Sequence, residues 1–143
     1  MANATRTPRI LGTLVAVVGV LLVVAGAVTW FVVTDQLAAE NVTVSDDAEF
    51  LAGDEVDGPF SAYAQAQVIN KHALEATGGK TYAELEQDDP VRATAMQASF
   101  LRASLFTSVV AYGVALMAIG VGAAFILIGL ALSSVGKATM HER

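Results

Sequence analysis

The chain has no cysteine. Disulfides, thiolate metal centres and a cysteine nucleophile are therefore excluded, and any segment outside the cytoplasm must be held together by packing alone. Proline is scarce: Pro8, Pro59 and Pro90 are the only three, so long stretches run without a helix breaker. Basic residues are few, eight Lys and Arg against fourteen Asp and Glu, for a net charge of −6. That balance excludes nucleic acid as a partner. The most telling absence is local. Residues 10–33 contain no Asp, Glu, Lys, Arg or His, and neither do residues 103–136.

A bilayer core about 30 Å thick takes roughly 20 apolar residues of helix to cross, and both charge-free runs exceed that. A mean hydropathy of +0.57 over 143 residues is too apolar for an ordinary soluble domain. The expected organisation is a cytoplasmic N-terminus at 1–9, a first span at 10–33, an acidic extracytoplasmic segment at 34–103, a second span at 104–132 and a cytoplasmic tail at 133–143. Charge sets the orientation. Arg6 and Arg9 precede the first run, and Lys137 and Arg143 follow the second. The middle segment holds thirteen acids against Lys71, Lys80, Arg92 and Arg102. By the positive-inside rule both termini are cytoplasmic; Arg102 alone counts against this. A cleaved signal peptide ending near Ala27 is the alternative for the first run, on the small residues Ala25, Gly26 and Ala27. The apolar run continues through Val33, with Trp30 and Phe31 placed as an interfacial belt, which favours an uncleaved span.

Between the runs, 42–44 alternates β-branched residues and could form a short strand at most, while 46–58 reads as an acidic loop. Gly58-Pro59 starts a helix over 60–77, in which Ala62, Ala66, Ile69, Ala73 and Ala76 share one face. Gly78-Gly79 ends it. Thr81-x-x-Glu84 is a capping-box pattern for a short helix over 82–87. Asp89-Pro90 then opens a helix that runs without interruption into the second span. The fold class is an all-α membrane protein: two transmembrane helices with a small extracytoplasmic helical cap, the second span continuous with a pre-membrane helix.

Gly12, Gly19 and Gly26 recur every seven residues in the first run, as do Ala115, Gly122 and Gly129 in the second, with Gly113 and Gly120 beside them. Small residues at a repeating interval let membrane helices approach closely, so these seven glycines are the expected packing residues. Tyr63, Tyr82 and Phe100 are the expected contacts between cap and stalk. Ion relays and substrate paths need charge or dense polarity at membrane depth, whereas Thr13, Thr29, Thr107 and Ser108 lie near the run ends and can return their hydroxyls to the helix backbone. Catalytic and metal motifs are missing. An EF-hand frame set on Gly53 puts Ala64 where a bidentate Glu belongs. His72 and Glu75 are a lone i, i+3 pair, and His141 falls on the other side of the membrane. Gly78-Gly79-Lys80-Thr81 lacks the frame and preceding strand of a phosphate loop.

The stretches 58–66, 72–75 and 78–85, with 98–106 leading into the second run, resemble small two-span membrane proteins of actinobacteria. That resemblance implies the two-span topology and a cell-membrane location, with no activity attached. Some members are described as aromatic ring-opening dioxygenases, a chemistry that two histidines on opposite sides of a membrane do not support. The expected role is non-enzymatic, without cofactor or metal: an accessory or structural subunit partnered by the bilayer and by another membrane protein or a second copy. The alternative is an extracytoplasmic module that binds a cation or a basic ligand.

Overall fold

The computed structural model describes the backbone of residues 3–141 and the side chains of residues 7–135. The flanking charges Arg6, Lys137, Glu142 and Arg143, and His141, lie outside the described side chains. The fold is all-helical: α1 (Asn3–Ala39), α2 (Pro59–Ala76), a 3₁₀ turn (Tyr82–Glu84) and α3 (Arg92–His141). Helices α1 and α3 are each long and apolar enough to cross a membrane. Both extend beyond the charge-free runs: α1 takes in Pro8 near its start and continues six residues past Val33, and α3 spans 50 residues.

The chain divides into two compact units. The first is α1 up to Trp30 with α3 from Gly113 onward, a pair of antiparallel helices. The second is residues 31–112: the end of α1, an acidic loop, α2, the 3₁₀ turn and the start of α3.

The core of the second unit is small and built from short side chains. Ala62, Ala64, Ala66 and Val68 of α2 are buried, as are Leu37, Val44, Val56, Leu85, Ala95 and Tyr112. The acidic loop is more ordered than its composition predicts. Val44 and Val56 are 1% and 2% exposed, and burying them draws the loop back on itself. Thr43 and Glu55 form an isolated antiparallel bridge. Val44 N–H donates to Asp54 O at 2.8 Å and Val56 N–H to Val42 O at 2.9 Å. Ser45 N–H donates to the Gln65 side-chain oxygen at 3.0 Å, which ties the loop to α2.

Helix ends follow local chemistry. Gly58 has no side chain to cap α2, so Ser61 reaches back and its Oγ accepts from the N–H groups of Asp57 and Gly58 at 3.2 and 3.1 Å. At the other end Gly78 and Gly79 take φ of +64° and +86°. Their N–H groups return to Glu75 O and Leu74 O, the five-to-two and six-to-one bonds that close a helix on glycine. The expected helix over 82–87 shrinks to the 3₁₀ turn, because Leu85 adopts an extended backbone and is buried. Thr81 and Glu84 still pair: the Glu84 carboxylate accepts from Thr81 N–H and Oγ1–H, each at 2.8 Å. Helix α3 begins at Arg92, two residues after Pro90. The Asp89 carboxylate accepts from Val91 N–H at 3.0 Å and its carbonyl from Arg92 N–H at 3.0 Å, which closes the turn that leads into α3.

Candidate functional site

In the first unit the seven-residue repeats on the two helices meet. A Cβ built on Gly12 would lie 2.6 Å from Gly129 O, one on Gly19 2.5 Å from Gly122 O, and one on Gly26 2.6 Å from Ala115 O. The reverse contacts are equally close: Gly122 to Gly19 O at 2.6 Å and Gly129 to Gly12 O at 2.5 Å. No real side chain tolerates such distances to backbone oxygen. The two helices therefore touch main chain to main chain, at positions that fall on one helix as they rise on the other. Weak Cα–H···O contacts recur at helix interfaces of this closeness.

Gly113 and Gly120, expected to pack beside them, do not belong to this seam. A Cβ on either would meet nothing within 4 Å. The reason is rotational: residues two apart on a helix point about 200° from each other. Gly113 and Gly120 therefore face away from Ala115 and Gly122.

Four hydroxyls of the long helices are occupied locally. Thr13, Thr29 and Thr107 donate to the carbonyl four residues back at 2.9, 2.9 and 2.7 Å, and Ser108 does so at 3.3 Å. A hydroxyl returned to its own helix offers no relay to a solute.

Within the second unit, Tyr112 is the joint that sequence reasoning missed. It is 2% exposed. Its hydroxyl donates to Asp57 O at 3.0 Å and lies 2.8 Å from Thr34 Oγ1. Since the carbonyl can only accept, the Thr34 hydroxyl is the donor to Tyr112. One phenol thus ties α1, the acidic loop and α3. The signal for it was its position, the one Tyr inside a charge-free run.

Of the three expected aromatic contacts, two have partners. Tyr63 sits between Phe50 (ring centroids 6.4 Å apart) and Phe106 of α3 (5.9 Å, edge-on). Tyr82 lies under the Arg92 guanidinium, 4.2 Å from its ring centroid. That guanidinium also donates to Leu85 O, so Arg92 staples the 3₁₀ turn to the first turn of α3. Phe100 does not fill the expected role; it is 67% exposed, on the outer side of α3.

A half-open groove of about 690 Å³ runs along α2. Its walls include Phe50 and Tyr63, with Asp47, Glu49, Lys71 and Glu75 around them. The expected His72–Glu75 pair gives way to a different grouping: Asp47 Oδ2 meets Lys71 Nζ at 2.8 Å and His72 Nε2 at 2.9 Å. The hydrogen bond from Lys71, then that from His72, holds the Asp47 carboxyl at about 2. The same contact raises the Lys71 ammonium above its usual value. Glu84 is lowered by its bonds from Thr81 N–H and hydroxyl. The loop acids do not converge: among the described residues no three His, Asp or Glu side chains are grouped to hold a metal ion.

Comparison with protein-family models, with curated proteins and with solved structures finds no match to this chain.

Proposed function

We propose that this chain is a non-enzymatic integral membrane protein of the cell membrane, with both termini cytoplasmic, 34–103 outside, and an accessory or structural role in a membrane assembly. The observation that carries this reading is the combination of a dry backbone seam with apolar outer faces. Phe31, Leu127 and Val110 are 72%, 68% and 63% exposed. In water, long helices exposing such a surface would aggregate. In lipid, helices pair by close packing of small residues and leave their large apolar side chains facing the acyl chains. The occupied hydroxyls and the lack of ionisable groups at that depth support a structural role over transport.

The absence of cysteine makes the orientation directly testable. Ala52→Cys should react with a membrane-impermeant maleimide on intact cells, and Ser134→Cys only after permeabilisation; the reverse pattern would overturn the orientation. Gentle purification from membranes should recover a stoichiometric membrane partner or a defined oligomer. Recovery as a free monomer would remove the accessory role.

The groove favours one second reading, capture of a cation or basic ligand by the outer segment. Its lining carries three carboxylates against one ammonium, beside two exposed rings. Saturable binding of an alkylammonium ion by the purified protein, weakened by Glu75→Gln, is the expected result. Non-saturating, salt-screened behaviour would dismiss it.

A further inference from the structure

The orientation of α2 within the second unit identifies a surface that the membrane reading leaves unused. Tyr63 meets Phe106. Further along, Asn70, Ala73 and Leu74 line a small cavity together with Ala98, Ser99 and Arg102. As numbers rise on α2 they fall on α3, so the two helices are antiparallel and the N-terminus of α2 points toward the apolar part of α3. Two hydrogen bonds fix the level of that end. Tyr112 holds the Asp57 carbonyl just before α2 and meets Thr34, which directly follows the last apolar residue of the first run. Phe60 lies between Asp57 and Tyr63, about one turn beyond Tyr63 toward that end.

At this level α1 has already turned polar at Thr34 and Asp35, while α3 is still charge-free from residue 103 onward. A zone in which one helix has left its apolar run and its neighbour has not corresponds to the headgroup layer, several ångströms thick on each side of the hydrocarbon core. Phe60 is 74% exposed there, the largest exposure among the large apolar side chains of the described residues. Cα–Cβ bonds tilt toward a helix N-terminus, so the side chain of Phe60 starts toward that end of α2. Asp54, Glu55 and Asp57 border the same edge. Carboxylates stay hydrated, so they limit the depth to which this end can sink.

We propose that the N-terminal turn of α2 rests on the bilayer surface, with Phe60 inserted at the boundary between headgroups and acyl chains. The partner is lipid, and the contact anchors the outer segment independently of the spans. This proposal rests on the membrane reading, and its test separates the two.

The parent protein has one tryptophan, Trp30. It is reconstituted in phosphatidylcholine vesicles whose acyl chains carry bromine close to the headgroup. Two variants are compared with it in the background Trp30→Phe: one with Phe60→Trp and one with Tyr82→Trp, at the far end of the unit. Exchange of one exposed aromatic for another leaves the core untouched. The expected result is blue-shifted emission and a several-fold loss of intensity to bromine for Trp30 and for the Phe60→Trp variant, with the Tyr82→Trp variant unaffected. Water-like, unquenched emission from the Phe60→Trp variant while Trp30 is quenched would overturn the lipid contact and leave the membrane reading standing. Equal quenching of the Tyr82→Trp variant would overturn the assignment to this end of α2. An unquenched Trp30 would overturn the membrane reading, and the proposal with it.

Discussion

Tyr112 shows how much one polar atom can do in an apolar setting. Its phenol accepts from Thr34 and donates to Asp57 O, and the ring is almost fully buried. Removing a buried partner leaves the remaining groups unsatisfied, which costs about 1–3 kcal/mol. Tyr112→Phe should therefore lower the stability of the protein in detergent by about that amount. Reversible unfolding followed by circular dichroism would measure it; an unchanged midpoint would mean that water replaces both bonds. Asp47 is the matching case in water. Its carboxyl lies below its usual value of 3.8, at about 2, because Lys71 and then His72 donate to it. A depressed carboxyl contributes its stabilisation fully above the usual value and loses it as the pH falls from near 3.8 through about 2. Lys71, whose ammonium is raised, contributes below its usual value of 10.5 and stops contributing as the pH rises through its higher folded value. The Asp47 carboxyl carbon resonance should titrate near 2 in the parent and move back toward 3.8 in Lys71→Met. Both side chains are about half exposed, so solvent screening keeps the effect on stability small.

Among the elements, the two long helices carry opposite kinds of glycine. Gly19 and Gly122 face backbone at 2.5 and 2.6 Å. An added methyl there must push the helices apart, and overpacking of this kind costs typically 1–3 kcal/mol. Gly19→Ala and Gly122→Ile should destabilise the helix pair, the second more severely. Gly113→Ala and Gly120→Ala enter open space and should be neutral, or stabilising by up to about 1 kcal/mol from helix propensity. Thermal unfolding of the four variants in one detergent checks the contrast; equal effects at both pairs would refute the seam. The repeat itself was legible, because a period of seven drifts only about 20° per repeat and stays on one face. The two-residue offset also turns Gly113 and Gly120 about 200° from Ala115 and Gly122, but only the contacts show which of the two stripes faces α1. The helix starts and stops at Gly58-Pro59, Gly78-Gly79 and Asp89-Pro90 could be read for a similar reason: capping chemistry lies within a few residues of the end that it caps. The loop was different. Val44 and Val56 are twelve residues apart in an acidic stretch, and nothing local pairs them.

For the whole molecule, the segment between the long helices draws part of its core from their ends. The buried residues of the second unit include Leu37 from α1 and Ala95 and Tyr112 from α3, while the segment between contributes chiefly alanine and valine. So small a set of side chains buries too little apolar surface to offset the chain entropy lost on folding. A peptide of residues 40–91 should be largely unfolded in water, with poor dispersion of its amide resonances. A well-dispersed spectrum would show that the segment folds independently.

The sequence alone determined that there are two long apolar helices, that an acidic segment separates them, and where each helix meets its cap. Each of these follows from interactions within a few residues, or from hydropathy summed along a run. Only the tertiary structure decided which glycine stripe is closed by backbone, that Tyr112 and Arg92 are structural joints, and that Val44 and Val56 fold the acidic loop. These depend on which distant segments meet, and a side chain such as Tyr112 reads the same in sequence whether it faces lipid or ties three segments together. The charge-free runs remain the strongest statement in the chain, since the two long helices are built on them.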